Sequence, residues 1–132
     1  MAGYLNQIRF NDIPVSNLEF SLEWYHSYLG FDVQYKNDEI GILSLERGPV
    51  LILTGSDYRS SSGKLSMEGK AVPIIGFETQ EIDKLYRCLR SKGVAVTAIR
   101  DEDIGRFFGL MDPDGNMYSV LNSHSERLAR AR

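Results

Sequence analysis

Apolar residues recur along this chain with two periods, and the alternation between those periods is written twice. Leu18, Leu22, Tyr25 and Leu29 fall at i, i+4, i+7 and i+11, the stripe of a helix of about three turns. Ser16 with Glu19 three residues on has the spacing of a capping box, and Gly30 suits the left-handed position that closes a helix. Residues 31–35, Phe-Asp-Val-Gln-Tyr, then alternate as a strand. Sixty-four residues later Ile82, Tyr86 and Leu89 stand where Leu18, Leu22 and Tyr25 stood. Glu81 and Asp83 put negative charge in the first turn of this second helix, and Arg87, Arg90 and Lys92 put positive charge in its last turns, as the helix dipole favours. Gly93 ends it, and residues 94–98, Val-Ala-Val-Thr-Ala, read as the next strand.

Extended segments surround each copy. Residues 7–15 precede the first helix and residues 71–79 the second. Residues 39–45 and 49–53, split by a turn at Arg47-Gly48, follow the first; strands ending at Met111 and starting at Asn116 follow the second. The pattern predicts an α+β chain of two β-α-β-β-β halves, about 5–54 and 71–122, with a connector at 55–70 and a short C-terminal tail. The connector is rich in Ser and Gly, which fits either a plain linker or a flap in which Tyr58 and Arg59 close over a site.

The last predicted hairpin turns on Asp112-Pro113-Asp114-Gly115-Asn116. Pro113 fixes its own φ, Gly115 accepts positive φ, and the Asp and Asn side chains bond to nearby backbone in Asx turns. The turn therefore accounts for these three polar residues without chemistry. It also sets the strand that carries Ser119 toward the sheet interior.

Composition narrows the function classes. At 132 residues the chain is expected to form one domain, and 42% hydrophobic with 25% charged residues is ordinary for a globular protein. A net charge of -3 disfavours a nucleic-acid face. No apolar run reaches the roughly 20 residues that span a bilayer, and the N-terminal stretch has no signal-peptide pattern, so a cytoplasmic location is expected. A single cysteine, Cys88, excludes an internal disulfide and fits a reducing compartment. The tail, with Ser123 and Glu126 at capping-box spacing, reads as a frayed or helical terminus.

Metal and nucleophile signals are sparse. The two histidines are His26, on the first helix, and His124, in the tail, and neither lies on a strand facing an interior. No His-x-x-x-His or cysteine cluster occurs. Ser119 has no histidine beside it and no nucleophile elbow around it.

The order Val15-x-Asn17-Leu18-x-x-Ser21-Leu22-x-Trp24-Tyr25, then Leu29-Gly30-Phe31, then residues 112–116, within two β-α-β-β-β halves, resembles the vicinal oxygen chelate superfamily. That superfamily includes glyoxalase I, extradiol dioxygenases, fosfomycin-resistance enzymes and bleomycin-resistance proteins. The resemblance covers about residues 5–122 and implies two tandem modules whose curved mixed sheets surround a shared cavity, in a homodimer. In metal-dependent members four strand positions supply His and Glu ligands. Carried onto this chain those positions are Phe10, Ile74, Ser119 and, in the first half, the neighbourhood of Ile52. None can hold a divalent ion, so no metal and no other cofactor is expected.

By strand parity the expected lining is Phe10, Ile52, Ile74, Phe107, Met111, Met117 and Ser119, a mostly apolar set suited to a small organic ligand, aromatic or cationic. Asp12 and Glu78 share that parity. They are the candidate catalytic residues, as acid and base or as weak ligands of a hard cation; alternatively they bond to backbone, Arg9, Arg106 or solvent. Three readings stay open: a metal-independent binding protein that sequesters a drug-like compound or metabolite; a lyase, isomerase or dioxygenase; and a dimerisation or regulatory module whose cavity has collapsed.

Overall fold

The structure, a computed structural model, describes residues 3–55 and 72–124. Its elements run β1 (Phe10–Val15), α1 (Leu18–Leu29), β2 (Asp32–Lys36), β3 (Ile40–Ser44), β4 (Val50–Gly55), β5 (Ile75–Glu78), α2 (Ile82–Ser91), β6 (Arg100–Glu102), β7 (Gly105–Met111) and β8 (Met117–Ser123). They form two compact units, Met1–Ser60 and Ser61–Arg132. Among the described residues each holds one helix and one four-stranded mixed sheet, in the orders β1-β4-β3-β2 and β5-β8-β7-β6. The outer strand that opens each unit runs parallel to the one that closes it, and the remaining pairs are antiparallel. The doubled β-α-β-β-β plan and the α+β class are as the hydrophobic periods predict.

In the first unit α1 covers one face of its sheet. Ile13, Val15, Leu43, Leu51 and Leu53 meet Leu22 and Tyr25 there, all buried. Gly41 lets the helix come close, since a Cβ on it would overlap the Leu22 side chain. Leu18 and Leu29, at the ends of the predicted stripe, are half-buried, and Ser21 is buried beside Leu22. Gly30 closes α1 at φ 81°. The cap at the other end is Asn17 rather than Ser16: its Oδ1 accepts from the Phe20 amide at 3.1 Å. Both residues are good caps, and the one-residue shift leaves Glu19 in the first turn facing Lys36 at 3.4 Å. Trp24 stands edge-on to Tyr25 and Tyr28, with centroids 5.2 and 5.5 Å away.

In the second unit Ile82 and Leu89 of α2 are buried against the sheet, and Tyr86 meets Phe108 edge-on at 5.2 Å. Phe77 stacks on Tyr118 at 4.9 Å. Glu81 occupies the N-cap position, leaving Asp83 as the acid of the first turn, and Gly93 turns the chain at φ 83°. The strand predicted at 94–98 is corrected. That segment forms only a bridge from Val96 to Leu110 with flanking bonds, and regular pairing begins at β6. The reason is local: Val94 still closes the helix, its amide bonding to Leu89 O at 3.0 Å, so the segment approaches β7 late. Ser123 is likewise a strand residue whose hydroxyl donates to Glu78, not the start of a helix; residues 125–132, and residues 56–71 with Tyr58 and Arg59, lie outside the described residues.

The turn between β7 and β8 is built as its composition requires. Asp112 Oδ1 accepts from the amides of Asp114 (2.9 Å) and Asn116 (2.8 Å), and Oδ2 accepts from Asn116 Nδ2 at 2.9 Å. Gly115 sits at φ 86°. Asp112, Asp114 and Asn116 are all buried, so the polar block is structural and fixes the register of β8.

Candidate functional site

A strand places alternate residues on opposite faces, and each sheet has given one face to its helix. The other face carries the residues expected to line a site, together with Asp12 and Glu78. On the first sheet Asp12 pairs with Ile52, Ile52 with Ile42, and Ile42 with Tyr35. Phe10 lies one step along β1, beside Val50, and is 51% exposed although it is a large aromatic. Asp12 is exposed, and its carboxylate makes no hydrogen bond or ion pair among the described residues. Ile52 is half-buried.

On the second sheet the same row reads Gly76, Ser119, Gly109, with Thr97 at its end. The Thr97 amide donates to Gly109 O at 2.9 Å, and the Gly109 amide donates to Thr97 Oγ1 at 2.8 Å. Ser119, half-buried, is therefore flanked by two residues without side chains; the row is a shallow slot at exposed Gly76, while Gly109 is buried against the Met117 methyl and Thr97. Ile74, Met111 and Met117 rise on one side of it: Ile74 N bonds to Met117 O at 2.8 Å, and Met111 pairs with Met117. Phe107, Leu121 and Glu78 rise on the other, with Phe107 paired to Leu121 and Leu121 to Glu78. Glu78 is exposed and its Oε2 accepts from Ser123 Oγ at 2.9 Å. Arg100 lies 6.0 Å over the Phe107 ring. Thus Ile74, Phe107, Met117 and Ser119 share one face with Glu78, while Phe10, Ile52 and Asp12 share the matching face of the other unit.

The remaining polar candidates are occupied elsewhere. Arg106 donates to Asp83 at 2.8 Å and approaches Asp101 at 3.5 Å, tying β7 to α2. That hydrogen bond holds the Asp83 carboxyl below its ordinary value and the guanidinium above its own. His26 Nδ1 lies 2.8 Å from Phe31 O at the helix end, and Cys88 is exposed on α2. Sequence reasoning missed Gly76, Gly109 and Thr97. An isolated glycine inside an apolar strand run was the available signal, since it marks a strand where something approaches the backbone closely.

The sequence comparison decides what this doubled unit is. A family model described as the Glyoxalase/Bleomycin resistance protein/Dioxygenase superfamily matches residues 4–120. The chain belongs to this superfamily. No curated protein sequence matches the chain significantly. Among solved structures it is similar to TnmS3, an antibiotic binding protein from Streptomyces sp. CB03234, at 19% identity and TM-score 0.74, covering 92% of this chain and 99% of that one. A glyoxylase/bleomycin resistance protein/dioxygenase domain from Frankia sp. EAN1pec gives 17% and 0.74, covering 91% and 99%. A lactoylglutathione lyase from Agrobacterium tumefaciens gives 15% and 0.69, covering 91% and 96%. At these identities the likeness is one of fold.

Superfamily members commonly use a metal, and the donor chemistry of this chain can be tested against that. The register makes Phe10 and Ile74 equivalent, each two pairs before Asp12–Ile52 and Gly76–Ser119. The positions that the resemblance implies for ligands hold two hydrocarbons and a phenyl ring, with one hydroxyl. Among the described residues no three His, Cys, Asp or Glu come together. The residues present do not fit a divalent ion at these positions.

Proposed function

We propose that this protein is a metal-independent binder of small organic molecules, acting by sequestration, and that each unit presents ligand-contacting residues on its own open sheet face, Ile74, Phe107, Met117 and Ser119 in the second and Phe10 and Ile52 in the first. One observation carries the reading: on the open face of the second unit Gly76, exposed and with nothing within 4 Å of a Cβ position, and half-buried Ser119 leave the sheet low between Ile74 and Met117 on one side and Phe107 and Leu121 on the other, a surface against which a flat molecule packs. Glu78 adds negative charge on this face, as Asp12 does on the open face of the first unit, and either favours a cationic substituent. The likeness to a protein described as antibiotic binding agrees with this class of ligand. The protein works without a cofactor, in the cytoplasm, as a homodimer.

The test is a thermal-shift panel of planar aromatic and cationic compounds in chelator, followed by calorimetry on any that raise Tm. Ser119→Arg fills the slot and should weaken such a compound at least tenfold with the melting temperature of the free protein unchanged. Absence of any stabilising compound across a broad panel would contradict the reading and favour a filled, non-binding face.

Asp12 favours a second reading. An exposed carboxylate beside Ile52 and near Phe10, with no partner among the described residues, has the chemistry of a general base and supports this reading. Asp12→Asn separates the two: loss of a turnover with binding retained would make the protein an enzyme, a lyase or isomerase, and Glu78→Gln is the matching variant in the second unit.

A further inference from the structure

Beside Gly109 the second unit has a cleft of about 190 Å³, lined by Ala95, Val96, Thr97, Met111 and Met117 among others. We propose that this cleft is the anchoring subsite for a single aromatic ring of the ligand; the proposal rests on the binding reading above and names the chemistry of one part of it.

Three observations carry it. First, the size is right, because an apolar cavity of roughly 150 Å³ already holds one benzene. Second, the lining is mostly apolar and several of its polar atoms are engaged. The Thr97 hydroxyl accepts from the Gly109 amide at 2.8 Å and donates to Ala98 O at 3.4 Å. Ala95 O accepts from Met111 N at 3.1 Å, Gly109 O from Thr97 N at 2.9 Å, and Met117 O from Ile74 N at 2.8 Å. A polar substituent placed here gives up water for a surface with few polar atoms to offer, so the cleft favours a hydrocarbon group. Third, two of its walls are thioethers. Met111 and Met117 pair across β7 and β8 on the open face, and a sulfur about 5 Å from a ring favours an aromatic over a saturated group of the same size.

Gly109 is what keeps the cleft available. A Cβ there would stand 2.8 Å from the Met117 methyl and 3.4 Å from Thr97 Cγ2. The nearer atom is the far end of a flexible side chain, so Gly109→Ala folds, but it pushes the Met117 methyl and narrows the cleft.

Methyl-labelled methionine gives two reporters in the cleft, Met111 and Met117. Toluene and methylcyclohexane, matched in size, are titrated into the full chain. The expected result is a saturable upfield shift of the Met111 and Met117 methyls with toluene and at least fivefold weaker binding of methylcyclohexane. Gly109→Ala should weaken toluene at least tenfold. Met117→Leu, which keeps the volume and removes the sulfur, should bring the two probes toward equal affinity. Equal binding of both probes to the unaltered protein, or no saturable shift at Met111 and Met117, would each overturn the proposal. A panel compound that binds without moving these two methyls would overturn the subsite and leave the binding reading standing. Toluene binding in a protein that takes up no panel compound would do the reverse.

Discussion

The two modules share a backbone plan and treat its two faces differently. On the helix-covered face they make the same core from exchanged volumes. Leu22 of α1 sits over Gly41, whereas at the equivalent places Tyr86 of α2 meets Phe108 edge-on. A small strand residue under a close helix in one module is a large one under an aromatic in the other, and both give a buried interface. The open faces differ more. The row Asp12–Ile52–Ile42–Tyr35 presents four side chains, and the row Gly76–Ser119–Gly109–Thr97 has two glycines, of which Gly109 is covered by the Met117 methyl and Gly76 by nothing within 4 Å. Core pairs vary in compensation because volume must be conserved. At Gly76 no neighbour fills the space, so there the open face is free of that constraint.

The largest effect should come where the second module depends on one side chain and the first does not. The β7–β8 turn rests on the Asp112 carboxylate, whereas the β3–β4 turn rests on Gly48 at φ 95°. Asp112→Ala leaves buried donors without that acceptor and should destabilise the protein by about 3 kcal/mol in chemical denaturation. Arg47→Ala, in the other turn, should stay within about 0.5 kcal/mol. Next, Gly41→Ala should cost about 1–3 kcal/mol by forcing Leu22 out of place. By contrast a Cβ on Gly76 would meet nothing within 4 Å. Gly76→Ala should therefore be nearly neutral for stability, and should weaken any ligand that lies along the slot. Equal destabilisation by the two alanines would break the contrast between a packed face and an open one.

The smallest effect concerns Asp83, whose carboxyl the hydrogen bond from Arg106 holds below its ordinary value of 3.8. Because the folded value is depressed, the pair adds stability above pH 4 and loses it as pH falls through the folded value. Both side chains are solvated, so the increment is small and screened by salt. Asp83→Asn should lower Tm slightly at pH 7 and leave it unchanged near pH 2; a Tm loss that persists at pH 2 would assign the effect to packing.

Much of this was legible beforehand, for reasons that differ by residue. The helix stripes, Gly30 and the polar turn at 112–116 are local signals, each set by the geometry of a few consecutive residues. The choice between Ser16 and Asn17 as cap is also local, but two equally good caps sit side by side and their residue types do not separate them. β6 was misplaced because its residues Arg100-Asp101-Glu102 are those of an exposed edge strand, without an apolar pattern, while Val94 to Ala98 imitate one. The faces of Phe10, Asp12, Ile74 and Ser119 followed from parity alone. The glycine slot did not, because it exists only where Gly76, Ser119 and Gly109 come into register from three separate strands.

The claim that matters most is that binding needs no metal, and metal content tests it directly. Protein purified without chelator should carry no stoichiometric metal after dialysis, and Zn²⁺, Mn²⁺, Ni²⁺ or Fe²⁺ should not raise its melting temperature, since an ion held by the folded chain alone must do so. One equivalent of metal surviving dialysis against chelator, with a matching rise in Tm on its return, would contradict the account and turn the search toward lyase and dioxygenase chemistry.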